Sequence, residues 1–209
     1  MIGLIVKDIL TIRKYFKTVG VVFLIWCVIF IPRGSVGVLA AMFCIMTVMV
    51  AVNSMGYDEA AKWDRLALTM PLTRRELVLS KYLLMLLLGL AGCLLALLLG
   101  FAASFFIPVN LGEMLVTAAV SFLVALLYAS IVLPFIYKLG VEKARLVMLT
   151  AFLAPYALFM LLGQVLDFNL QALMELSFGA LLSAGIILTV LIVVVSYRIS
   201  LTLYQKKDL

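Results

Sequence analysis

The 209 residues are 67% apolar and only 12% charged, with sixteen Lys and Arg against ten Asp and Glu, and their mean hydropathy is +1.30. Soluble domains hold about 45–50% apolar and about 25% charged residues, and a domain of this size in water leaves too much surface wet to hide such a composition. Lipid is the solvent that suits the chain. The net charge of +6 therefore describes the loops of a membrane protein and is no mark of a nucleic-acid partner.

Residues 1–17 open the chain with Ile2, Ile5, Ile9, Ile12 and Phe16 at three- to four-residue spacing, and with Lys7, Thr11 and Lys14 on another face. That pattern predicts an amphipathic helix along the inner interface, its basic face toward anionic headgroups; the alternative is an inward extension of the first span. A cleaved signal peptide is not expected, because the charges follow the first apolar residues and no small-residue cleavage site is present. Six apolar stretches then approach spanning length: Thr18–Ile31, Val36–Met55, Tyr82–Ile107, Met114–Tyr137, Leu146–Leu166 and Ser177–Tyr197. Each crossing needs about 20 residues at 1.5 Å of rise. Pro32-Arg33-Gly34-Ser35 reads as a tight turn between the first two, and Asp167–Glu175 as an outer connection with a short interfacial or re-entrant segment. The expected fold is a single all-α polytopic domain of six transmembrane helices.

Every Lys and Arg except Arg33 falls in the N-terminal segment, in residues 56–81, in the 138–145 loop or in the tail from residue 198 to 209. The connections on the other side carry Glu113, Asp167 and Glu175. By the positive-inside rule both termini are expected in the cytoplasm.

No Asp, Lys or Arg lies in the middle of a predicted span, where each costs about 2.5–3.5 kcal/mol on insertion scales. The embedded polar residues that come nearest to such a group are Asn53, Ser104, Thr117, Ser121 and Gln164. Ion-coupled carriers usually need buried ionisable groups or broken helices, so the energy for any transport is expected from another chain. No histidine is present, which removes His-based acid–base catalysis and most transition-metal sites. Cys27, Cys44 and Cys93 fall in apolar runs and form neither a disulfide framework nor a metal pair. No catalytic or metal site is expected. Pro134 and Pro155 interrupt helical stretches, as packing features or as gating kinks. Gly92, Ala96 and Gly100 give the third span a small-residue face for a close neighbour from this chain or from a second copy. Met42, Met46 and Met49 share one face, as core filling or as a pliable surface for a greasy substrate.

Residues 56–81 form the most structured loop. Asp58 to Leu68 favours helix, with Asp58 and Glu59 suited to its first turn. Trp63, Leu66 and Ala67 fall on one face, with Glu59, Lys62 and Arg65 around the other, and Pro71 ends the segment. Thr73-Arg74-Arg75-Glu76 is a capping box with Leu72 and Leu77 as its hydrophobic staple, so a new helix starts at Thr73 and runs past Lys81. A tryptophan on a short charged helix reads as a docking element, because exposed Trp is rare without a partner surface or lipid.

The run Asp58-Glu59, Trp63 and Leu68-Thr69-Met70-Pro71-Leu72-Thr73-Arg74-Arg75-Glu76-Leu77-Val78-Leu79-Ser80-Lys81-Tyr82 resembles the loop of a compact ABC-2-type permease family. Pro134-Phe135-Ile136-Tyr137-Lys138-Leu139-Gly140-Val141-Glu142-Lys143-Ala144-Arg145 is similar to that family's fourth-to-fifth inner loop. The family comprises permease subunits of bacterial ABC exporters, among them the phenol-soluble modulin exporter. The resemblance implies a multi-pass protein of the bacterial cytoplasmic membrane that pairs with a second permease copy and binds a separate cytosolic ABC ATPase. The coupling helix maps onto Tyr57–Leu68, with Asp58, Glu59, Lys62, Trp63, Arg65 and Leu66 as its ATPase interface. Glu142, Lys143 and Arg145 map onto a second inner-loop contact, and the N-terminal helix onto the family's connecting helix. No G-x-x-x-x-G-K-[ST] sequence is present, so this chain holds no nucleotide of its own. ATP and magnesium belong to the ATPase. The implied activity is export of amphipathic or hydrophobic peptides. The rival readings are a channel or secondary carrier, an intramembrane enzyme, and a scaffold subunit that transports nothing.

Overall fold

The structure is a computed structural model that describes residues 2–108, 110–144, 146–150, 153 and 178–206. Among these residues every regular element is helical: α1 (Ile2–Phe30), α2 (Val36–Ala60), α3 (Trp63–Ala67), α4 (Arg74–Ala103), α5 (Leu111–Leu139) and α6 (Phe178–Gln205). Residues 141–144 and 146–150 are also helical. By length and hydropathy four helices are able to cross a membrane: Val36–Ala60, Arg74–Ala103, Leu111–Leu139 and Leu182–Gln205. A shorter apolar stretch, Tyr15–Phe30, occupies the second half of α1. Most of the expected fifth span, together with Pro155, Gln164 and the 167–175 connection, lies outside the described residues.

Two boundaries differ from the sequence expectation. The first is the separation at residue 17, which is no backbone break, since α1 runs unbroken from Ile2 to Phe30. No proline or capping signal interrupts its ladder there. Its buried positions are Leu4, Asp8 and Ile12, whereas Ile9 and Phe16 are exposed. The second is the expected helix over Asp58–Leu68, which is split. Asp58 and Glu59 belong to the last turn of α2, and Lys62 adopts a left-handed conformation at φ 49° before α3 starts at Trp63. The ion pairs of Asp58, described below, hold it on α2.

The local start and stop signals explain the remaining ends. Thr73 caps α4 through a full capping box: its hydroxyl accepts from the Glu76 N–H, and the Glu76 carboxylate accepts from the Thr73 N–H at 2.8 Å. The Asn110 side chain accepts from the N–H groups of Gly112 and Glu113 at the start of α5. Gly140, at φ +81°, turns the chain away after α5. Pro134 sits inside α5, whose helical run continues through it to Leu139.

Helix α2 is central and packs against α1, α4 and α5, while α6 packs against α5 and α4. The close approach of α2 to α4 uses small residues. Gly92 lies against Thr47 of α2, Gly100 against Met114 of α5, and Gly89 against Phe122 and Val48, so a Cβ at any of these glycines meets a neighbouring side chain. Ala96 is fully buried in the same row. This small-residue face is therefore filled from within the chain. Bonds made by hydroxyls join α4, α5 and α6. Tyr82 Oη lies 2.6 Å from Ser196 Oγ and 2.9 Å from Ser200 Oγ, and Ser196 Oγ donates to the Ser130 carbonyl at 2.5 Å. With the Ser196 proton committed to that carbonyl, one consistent order runs from Ser200 through Tyr82 to Ser196. Polar bonds of this kind hold helices together where apolar surface gives no drive for association. The outward faces are apolar throughout: Leu24 and Val28 on α1, Leu94 and Leu98 on α4, and Ile187 and Leu191 on α6 are all more than half exposed. Continuous apolar surface on helices whose backbone bonds are internally satisfied suits hydrocarbon.

Candidate functional site

One end of the bundle gathers the start of α1, the end of α2, α3, the start of α4 and the ends of α5 and α6. At its centre are four charged side chains. Lys7 reaches Asp8 at 2.8 Å and Asp58 at 2.6 Å, while Lys81 reaches Asp8 at 2.8 Å and Asp58 at 2.5 Å. Each cation touches both anions, and the four charges sum to zero. Asp8 is 1% exposed, and the others are partly buried. Burial of lone charges costs several kcal/mol per ion; alternation of sign around the square offsets that cost. The Lys81 ammonium also lies 3.4 Å from Ser54 Oγ. The cluster joins α1, α2 and α4.

The position along the helices matches this chemistry. Helix α4 has 30 residues, about 45 Å at the standard rise, against a hydrocarbon core of about 30 Å. Lys81 lies two turns from its start, so a core of about 30 Å fits along the rest of the helix with the cluster outside it.

Trp63 connects this cluster to the connecting loop. The Lys7 ammonium lies 4.4 Å from the centre of the Trp63 ring, within cation–π range. The same loop also reaches the ends of α5 and α6. Glu59 accepts from the Val141 N–H at 2.6 Å, and its carboxylate lies against Gly140. Asp64 accepts from the Tyr204 hydroxyl at 3.1 Å. Arg74 donates to the carbonyls of Tyr204 at 2.9 Å and Gln205 at 2.6 Å, which satisfies acceptors left open at a helix end. Residues 58–81 therefore touch the nearby end of every long helix described. A small cavity of about 50 Å³ lies among Lys7, Asp8, Asp58, Trp63, Lys81 and Tyr204, room for a water molecule or two.

The sequence-predicted site residues divide into two sets. Asp58, Glu59 and Trp63 face the bundle and make the contacts above. Lys62, Arg65 and Leu66 are exposed, as are Thr69 and Met70, so α3 and the turn after it present a mixed basic and apolar surface. Glu142 and Lys143 are exposed on the stretch held by Glu59, and Arg145 lies outside the described residues. Sequence reasoning missed Asp8. A signal was available, because Asp8 is the lone acid among the first 57 residues, and an acid in so apolar a segment calls for a partner.

A family model described as "ABC-2 family transporter protein" matches residues 3–205, nearly the whole chain. No curated protein and no solved structure matches it.

Proposed function

The chain belongs to the ABC-2 transporter family, and from that premise we propose that it is the permease subunit of a bacterial exporter, driven by a separate ATPase docked on the basic end of the bundle. The observation that carries this reading is the position of residues 58–81, which present Lys62, Arg65 and Leu66 outward and bond inward to α1, α2, α4, α5 and α6. A force applied to α3 reaches the whole bundle through those bonds. Two packed bodies that shift relative to each other are an established way to turn such a force into a change of access.

In this reading the basic end faces the cytoplasm, in agreement with the charge distribution. Six crossings are favoured by direction: α5 and α6 both finish at the basic end, so one more crossing between them restores the alternation. A second permease copy completes the pathway. The cargo is an amphipathic or hydrophobic peptide, because the described mid-bundle surfaces offer aliphatic and aromatic side chains and almost no charge.

Vesicles that contain this chain and its ATPase are expected to move a fluorescent amphipathic helical peptide only when Mg-ATP is supplied. Movement of solute by this chain alone, driven by an ion gradient, would contradict the proposal and favour a secondary carrier.

A further inference from the structure

Helix α5 carries Pro134 in its interior and still runs on to Leu139. A proline has no N–H to give to the carbonyl four residues before it, and in α5 that carbonyl belongs to Ser130. Ser130 is 1% exposed, so water does not supply the missing donor, and a buried carbonyl left open costs as much as a lost hydrogen bond. The donor comes from α6. Ser196, itself buried, donates its hydroxyl proton to the Ser130 carbonyl at 2.5 Å. With that proton committed, Tyr82 Oη of α4, 2.6 Å away, donates to Ser196 Oγ. The hydroxyl of Ser130 is buried too and has no partner among the described residues. Ser196 therefore has two acceptors on one residue, of which the carbonyl opened by Pro134 is the one it uses.

We propose that Ser196 is a latch across a hinge at Pro134, and that its bond lets a proline-bearing helix act as a rigid rod. Proline is a usual cause of bending in a helix, because the bond that would resist the bend is missing. Here a side chain from α6 replaces that bond and ties the two helices together at the weak point. The hinge lies six residues before Gly140, about 9 Å at the standard rise, and just beyond Gly140 Glu59 holds the Val141 N–H at 2.6 Å. A pull from the connecting loop thus enters α5 past the hinge and crosses it to reach the rest of the helix. With the latch closed the pull is passed on. With the latch released α5 bends at Pro134 and absorbs it, while the Ser196 proton turns to the Ser130 hydroxyl. Ser196 is thus a positioning residue that acts through α5. Only the consequence for transport rests on the permease reading. The latch itself belongs to this chain and is measured without an ATPase, so the two ideas fail separately.

The test is hydrogen–deuterium exchange of the full chain in detergent, read by mass spectrometry on peptides that cover residues 131–139. Ser196→Ala is expected to raise exchange of the amides after Pro134 about tenfold, the effect of one buried carbonyl left unpaired. Pro134→Ala returns an N–H to the Ser130 carbonyl and makes the latch dispensable. In that background Ser196→Ala is expected to exchange within about twofold of Pro134→Ala alone. A serine that served only to pack α5 against α6 would cost the same in both backgrounds. The melting temperatures of the four proteins are expected to follow the same pattern, and they read the cycle should Ser196→Ala alone prove too unstable for exchange. An equal effect of Ser196→Ala with and without Pro134, or no effect in either, would overturn the latch.

Discussion

Asp8→Asn is expected to destabilise the bundle by about 3–5 kcal/mol, the cost of removing one partner from a buried ion pair. In a chain of this length that corresponds to a fall in melting temperature on the order of 10 °C. Two lysines would then share the single carboxylate of Asp58, and the cluster would carry an excess positive charge beside a residue that is 1% exposed. Neutralisation of the neighbouring corner as well, in Asp8→Asn with Lys81→Gln, is expected to recover part of the loss. It leaves Lys7 and Asp58 as a neutral pair at 2.6 Å. The two single variants and the double variant form a cycle whose coupling energy is expected at about 1–3 kcal/mol. Thermal denaturation in detergent, followed by circular dichroism, measures it. Additive losses would show that the four groups do not act as a unit.

Trp63→Ala is expected to act on assembly more than on folding. Trp63 is half-buried, with one face under the Lys7 ammonium and the rest beside the exposed surface of α3. Loss of a tryptophan from the centre of a protein interface costs about 2 kcal/mol or more, which lowers affinity for the ATPase about 30-fold. Trp63→Phe keeps an aromatic face over Lys7 and is expected to retain most of the association. Co-purification of the ATPase with each variant, together with the ATPase rate in the complex, reads the effect. Equal co-purification of the Ala variant and the unmodified chain would remove Trp63 from the interface.

The sequence and the structure agree where the signal is local. Apolar runs of spanning length mark α2, α4, α5 and α6 because hydropathy is a property of contiguous residues. The start of α4 is legible from Thr73 to Glu76, since a capping box is complete within four residues. Agreement ends where partners come from far along the chain. Asp8 finds Lys81 across 73 positions, and no periodicity within residues 1–17 announces that meeting. The break at Lys62 is equally silent, because a left-handed turn at a lysine has no composition signature. It follows from the pull of Lys7 and Lys81 on Asp58, which keeps that residue on α2. The hydroxyl chain through Tyr82, Ser196 and Ser200 joins residues that are unremarkable one by one. For the small-residue face of α4, sequence leaves the neighbour open between this chain and a second copy. Gly92 against Thr47 and Gly100 against Met114 give the answer within the chain.

The links from the connecting loop to each helix end differ in strength. The ion square is the stiffest, since four short contacts join three helices. The Glu59 contact with the Val141 N–H and the Asp64 contact with Tyr204 are single bonds. Displacement of α3 is nevertheless expected to move the bundle as one body, because α2 packs along α5, and Arg74 and the Tyr82 hydroxyl tie α4 to α6.

The most direct test is capture of the ATPase by a photo-crosslinking amino acid placed in this chain within intact cells. Leu66 is 52% exposed on α3, and Phe106, 87% exposed, lies at the opposite end of the bundle. The predicted result is a crosslink to the ATPase from Leu66 and none from Phe106. Capture from Phe106 instead, or labelling of a cysteine at Leu66 by a reagent that cannot cross the membrane, would contradict the account.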